Sequence, residues 1–112
     1  MPEPYIPEAG DIVWLNANCG SDARVAIKNG RPAAVLSPKA YNCKTGLLIC
    51  VPITNQSKGY PFEVQLSSNE VSGAALADQV QSLGWRSHLV QYKGKISLAE
   101  IQAKIAAVLN FD

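Results

Sequence analysis

Leu47-Leu48-Ile49-Cys50-Val51-Pro52-Ile53 is a continuous apolar run bounded by turn-forming and polar residues. It is far too short to span a bilayer, which takes about 20 residues as a helix. Such a run suits a β-strand buried on both faces. Asn42 to Gly46 precede it as a turn, and Thr54 to Tyr60 follow it as a polar loop carrying Gly59. Further upstream, Asp11-Ile12-Val13-Trp14-Leu15 is β-branched and aromatic and reads as a strand. Ala33 to Ser37 reads as a second strand, stopped by Pro38. Between these two lies Asn16 to Gly30, a long polar stretch with the turn chemistry of a loop, and loops of that length in small domains are often functional.

Downstream, Phe62-Glu63-Val64-Gln65-Leu66 alternates apolar and polar residues, the mark of a half-buried strand. Ser67 to Gly73 turns the chain, Ala74 to Val80 forms a fifth strand, and Trp85 to Tyr92 a sixth. The C-terminus changes period. Ser97 and Glu100 form a capping box, and Ile96 and Ile101 occupy hydrophobic-staple positions. Ile101, Ile105, Val108 and Leu109 then fall on one helical stripe. Short strands followed by one helix give an α+β domain over residues 1–112, a small barrel or curled antiparallel sheet with a C-terminal α-helix against it.

The composition narrows the function classes. Ten Lys+Arg against nine Asp+Glu leave a formal charge of +1 over 112 residues. That argues against a sequence-blind polyanion binder, which shows a strongly basic face. RNA or DNA binding would have to rest on a few well-placed groups. Cys19, Cys43 and Cys50 form no CxxC pair and His88 is the single histidine, so the clustered ligands of a zinc site are missing. The expectation is no metal and no cofactor, with reduced thiols in a cytoplasmic protein. Pro2, Pro4 and Pro7 make an irregular leader; Met1 to Pro4 lack the basic and apolar regions of a signal peptide.

Individual residues leave alternatives open. His88 is an acid/base candidate by residue type, yet it sits in apparent strand between Ser87 and Leu89, where a structural role is equally natural. Arg31 ends the long loop at the mouth of an apolar strand. Its planar fork can grip a phosphate bidentately, or it can form an ordinary surface salt bridge. Thr54 directly follows the Leu47–Ile53 run, and can offer a hydroxyl to a phosphate or cap a turn. Gln56, Ser57 and Lys58 extend that polar ledge.

Several longer stretches carry a resemblance. They are Pro7 to Leu15 with Gly10-Asp11 and Trp14; Gly30-Arg31-Pro32-Ala33-Ala34-Val35-Leu36-Ser37-Pro38; Tyr41 to Gly46; Val51 to Val64; Ala75 to Val80; and Ser82 to Arg86. In this order they resemble the MazF/PemK family of toxins over nearly the whole chain, apart from the first loop. The resemblance implies an SH3-like barrel with a C-terminal helix, working as a homodimer and neutralised by a MazE-like antitoxin through a disordered acidic tail. It implies metal-free cleavage of single-stranded RNA, with the ribose 2′-hydroxyl attacking phosphorus to leave a 2′,3′-cyclic phosphate and a 5′-hydroxyl. The family's catalytic arginine falls on Arg31 and its catalytic threonine on Thr54. A fixed cation and a hydroxyl donor suit the negative charge gathering on the phosphate oxygens. Arg31 is a poor base, since guanidinium pKa values lie above about 12. RNA recognition is assigned to Asp22, Gln56, Ser57, Lys58, Gln79 and Arg86, because unpaired bases are read on their edges.

The chain departs from the family before Arg31. Where an acid–glutamine pair is usual, Gly20-Ser21-Asp22 is followed by Ala23 to Gly30, with aspartate for glutamate and no glutamine. Two other readings share the fold. Gyrase-binding toxins of the CcdB kind use a C-terminal tryptophan tail, whereas this chain ends Val108-Leu109-Asn110-Phe111-Asp112. A catalytically idle binding module is supported only by the altered loop.

Overall fold

The computed structural model describes residues 5–16, 31–56, 58–67, 72–85 and 89–109. These contain β1 (Asp11–Asn16), β2 (Arg31–Val35), α1 (Lys39–Thr45), β3 (Leu47–Thr54), β4 (Glu63–Ser67), β5 (Ser72–Leu76), β6 (Gln81–Gly84), β7 (Leu89–Lys95) and α2 (Ala99–Leu109). All strand pairs are antiparallel. The order is β4-β5-β3-β2-β1-β7, with β6 also on β3, so the sheet is the curled, open kind with a C-terminal helix. No described helix is long and apolar enough to cross a membrane.

β3 organises the sheet. One edge pairs with β2. The other edge is shared, with β6 beside Leu47 to Cys50 and β5 beside Ile53 and Thr54. Pro52 falls in the gap between those two partners, where a missing N–H interrupts no ladder. The double-sided burial expected of this strand is realised in two separate cores. Val51 and Ile53 face one, with Ile12, Ala34, Val64, Ala75, Ala77 and Ile101. Leu48 and Cys50 face the other, with Val13, Leu15, Ala33 and Val35, closed by Leu83, Trp85 and Val90. Adjacent residues of β1, β2 and β3 thus feed opposite cores, because successive side chains of a strand point to opposite faces. Burying a side chain such as Ile12, Val51 or Ile101 contributes about 1.5–3 kcal/mol, more than any exposed ion pair supplies. The cores therefore hold the sheet together. Burial also pushes the Cys50 thiol up to about 12.

Four expectations are corrected. Asn42 to Gly46 are not a simple turn: the chain forms α1, which begins after Pro38 and ends at Gly46, whose φ of 73° is left-handed and whose N–H donates to Asn42 O at 3.0 Å. Proline stops a strand but is tolerated at a helix start, and seven residues are too few to display a helical period. The sixth strand expected at Trp85 to Tyr92 coincides with a strand from Leu89 on, where β7 begins and runs to Lys95, and a strand not expected, β6, lies before it at Gln81–Gly84. β6 is half-exposed without clear alternation, so its pairing with β3 is invisible locally. The fifth strand runs Ser72–Leu76 rather than to Val80, and β2 starts at Arg31 and ends at Val35.

The C-terminal helix forms where expected. Ala99 N–H donates to Ser97 Oγ at 3.3 Å, and Glu100 lies in the first turn. Its stripe is only half used. Ile101 is in the first core and Ile96 and Ile105 pack against it, whereas Val108 and Leu109 are 49% and 54% exposed.

Candidate functional site

Arg31 opens β2 and Thr54 closes β3. The strands pair Ala33 with Pro52, Ala34 with Val51 and Val35 with Cys50. Carried two residues further, this register sets Arg31 level with Thr54. Both residues have the parity of Ala33, Val35 and Cys50, so their side chains leave the same face of the sheet. Arg31 is exposed and Thr54 half-buried. The Thr54 Oγ1 accepts the Gln56 N–H at 3.1 Å, an ST-turn. A hydroxyl has one proton and two lone pairs, so this bond engages a lone pair and leaves the proton to donate.

The backbone at Thr54 is closely held. Ala74 of β5 is its cross-strand partner. The neighbouring Gly73 has φ +134°, and a Cβ there would meet Thr54 O at 2.2 Å and Asn55 Cα at 3.3 Å. Only glycine permits that approach. Beyond Thr54, Gln56 and Lys58 are exposed. Their loop turns back onto Glu63, the first residue of β4, whose carboxylate accepts the Lys58 N–H at 3.1 Å on both oxygens and the Gly59 N–H at 3.0 Å. Glu63 N–H in turn donates to Tyr60 O at 3.1 Å, and the half-exposed Tyr60 ring stacks on Phe62, centroids 5.2 Å apart.

The structure thus gathers Arg31, Thr54, Gln56 and Lys58 at one end of β3. Gln79 is exposed and lies where the chain passes from β5 to β6; its N–H donates to Leu76 O at 3.0 Å. Asp22, Ser57, Arg86 and His88, and the loop from residue 17 to 30, lie outside the described residues. Among the described residues no three His, Cys, Asp or Glu side chains are grouped to hold a metal ion. Two supporting residues escaped the sequence reading. Alternation directs Glu63 to solvent, yet it is only 8% exposed, and Gly73, which the sequence places at the end of a turn, lies in β5. The signal for Glu63 is an acid at a strand start, four residues beyond a loop glycine.

At the opposite end of β3, polar groups turn inward. Buried Asn42 accepts from Ser37 Oγ at 2.6 Å and donates to Pro7 O at 2.8 Å and Ser37 O at 3.1 Å. Ser37 Oγ also accepts the Ile49 N–H at 2.9 Å, and the Trp85 indole N–H donates to Asn42 O at 2.9 Å. Residues 5–8 are fixed beside this knot. Tyr5 OH donates to the buried Asp11 carboxylate, which raises the phenol pKa after burial has already done so. Lys95 bridges Glu8 at 2.8 Å and Asp11 at 3.1 Å.

Comparison with known proteins supplies the family. A family profile described as PemK-like, MazF-like toxin of type II toxin-antitoxin system matches residues 8–110. The chain is 48% identical over 110 residues to the Endoribonuclease toxin MazF of Escherichia coli K12, covering 98% of this chain and 96% of the relative. Its fold superposes on a chain of the MazE-MazF (Form-II) crystal structure from Deinococcus radiodurans with a TM-score of 0.84 and 42% identity, covering 97% of this chain and all of that one. MazF (Form-I) of the same organism gives 0.82 and 43%, over 96% and 100%. Family profile, sequence identity and fold therefore agree: the chain belongs to the PemK-like, MazF-like toxins of type II toxin–antitoxin systems.

Proposed function

We propose that this toxin is a metal-independent endoribonuclease that cuts single-stranded RNA at a short recognition sequence, in the cytoplasm and as a homodimer, thereby blocking translation and growth. The close relative is named an endoribonuclease. The observation that supports the chemistry is the β2–β3 register, which pairs Ala33 with Pro52 and, carried two residues on, would set Arg31 opposite Thr54, whose hydroxyl accepts the Gln56 N–H through a lone pair. In the reaction the ribose 2′-hydroxyl gives up its proton as its oxygen bonds to phosphorus, the bond to the 5′-oxygen breaks, and the leaving 5′-oxygen takes up a proton, so that none is gained or lost overall. Charge builds on the non-bridging oxygens, where the Arg31 fork and the Thr54 hydroxyl stabilise it more than they stabilise the ground state. The guanidinium of Arg31 has five N–H donors and no acceptor, so its part is that of an electrostatic clamp, and no residue is assigned as the base. Gln56 and Lys58, with Asp22, Ser57, Gln79 and Arg86, read the bases on either side of the cut.

Purified protein in excess EDTA should cut single-stranded RNA, leave duplex RNA intact, and yield cyclic-phosphate and 5′-hydroxyl ends. A divalent-metal requirement, or 5′-phosphate products, would overturn the mechanism. The solved MazE-MazF structures of the Deinococcus relative support an antitoxin partner. We assign it a disordered acidic tail that orders across the RNA groove. A monomer at micromolar concentration in sedimentation, or no growth rescue by a co-expressed MazE-like protein, would remove those two assignments respectively.

A further inference from the structure

We infer that Glu63 is the positioning residue that sets which RNA sequence this toxin cuts, by clamping the main chain of the loop that carries Gln56 and Lys58. The inference rests on the endoribonuclease reading above and concerns its selectivity.

The described residues of the β3–β4 loop are held from both sides. At its start, Thr54 is paired to Ala74 and overlaid by the bare Cα of Gly73. At its far side the Lys58 and Gly59 N–H groups converge on one carboxylate. A nearly buried carboxylate is costly unless hydrogen-bonded, and N–H bonds to a charged acceptor are among the stronger ones. Loop and acid therefore stabilise one another. Glu63 meets the loop from its main-chain side while Gln56 and Lys58 present their side chains to solvent. Its effect on RNA is exerted through those residues. Recognition by edge-on hydrogen bonds tolerates little misplacement, so a loop released from Glu63 presents the same groups at scattered positions. Arg31 and Thr54 sit on the strands and keep their places.

The test compares wild type with Glu63→Ala, Glu63→Asp and Glu63→Gln on one long single-stranded RNA. It reads the relative use of cut sites, which does not depend on the fraction of folded protein, together with kcat and KM on a short substrate. Two of the three N–H contacts meet at Oε1, and a glutamine oxygen can take that position, so Glu63→Gln should preserve the cut-site pattern. Glu63→Ala, and Glu63→Asp with its shorter reach, should add new cut sites and raise KM on the order of tenfold, the scale of one hydrogen bond, with kcat largely kept. Should the alanine variant not fold, the aspartate variant carries the same decision. An unchanged site pattern with uniformly slower cutting would overturn the inference, as would equal loss of selectivity in Glu63→Gln. Wild type that cuts no RNA would sink the endoribonuclease reading itself, and this inference with it.

Discussion

The two ends of β3 use similar residues for opposite purposes. At the Leu47 end, Ser37, Asn42 and the Trp85 indole are turned inward and bonded to one another and to the main chain. At the Thr54 end, Arg31, Gln56 and Lys58 are exposed, and Thr54 accepts one bond while keeping its proton. Polar groups whose capacity is met internally add specificity and stability to the fold. Polar groups held in place but left with unused donors can act on a ligand. The contrast teaches that the arrangement of acceptors behind a residue, more than its type, separates structure from chemistry.

The largest expected effect tests that division directly. Arg31→Ala and Thr54→Ala should each lower RNA cleavage by ~10²-fold or more with the melting temperature nearly unchanged, whereas His88→Ala should leave the rate close to wild type. A melt that collapses in Arg31→Ala, or a rate that survives, would break the comparison.

The mirror experiment is Asn42→Ala. It strips partners from Pro7 O and Ser37 Oγ in a buried setting, and should cost about 2–3 kcal/mol in denaturant unfolding while the folded fraction keeps its turnover. Loss of turnover ahead of stability would show that the two ends are coupled.

Gly73→Ala should blur the line. Its Cβ would collide with the Thr54 carbonyl, so about 1–3 kcal/mol of stability and cleavage rate should fall together. Kinetics and melts on the same sample decide it.

The smallest effect lies at the surface. Lys95 is held up at about 12, above its ordinary 10.5, by Glu8 first and Asp11 second. A raised lysine contributes stability that is fully present below 10.5 and disappears as pH rises through about 12. With 47% of the side chain exposed the contribution is screened, a few tenths of a kcal/mol. Lys95→Met should lose that much at neutral pH and flatten the alkaline limb of the stability curve; an unchanged limb would assign the alkaline loss elsewhere.

By itself the sequence determined the elements whose signal is local. The apolar run at Leu47, the alternation from Phe62 to Leu66 and the capped stripe from Ser97 are each a local pattern, and such a pattern is a property of neighbouring residues. Arg31 and Thr54 emerged from the likeness to a family, since composition alone left each as an ordinary surface group. Tertiary structure decided everything that depends on residues distant in the chain. It set the register that pairs Ala33 with Pro52 and directs Arg31 and Thr54 to the same end of the sheet, split one apolar run between two cores, and left Val108 and Leu109 exposed on a stripe that Ile101 and Ile105 bury. It turned Glu63, polar in an alternating strand, toward the main chain of a preceding loop. Which face of a strand meets a core, and which polar group finds its acceptor, are settled by packing between segments. Antiparallel pairing at a given offset is the step that carries those choices from one strand to the next.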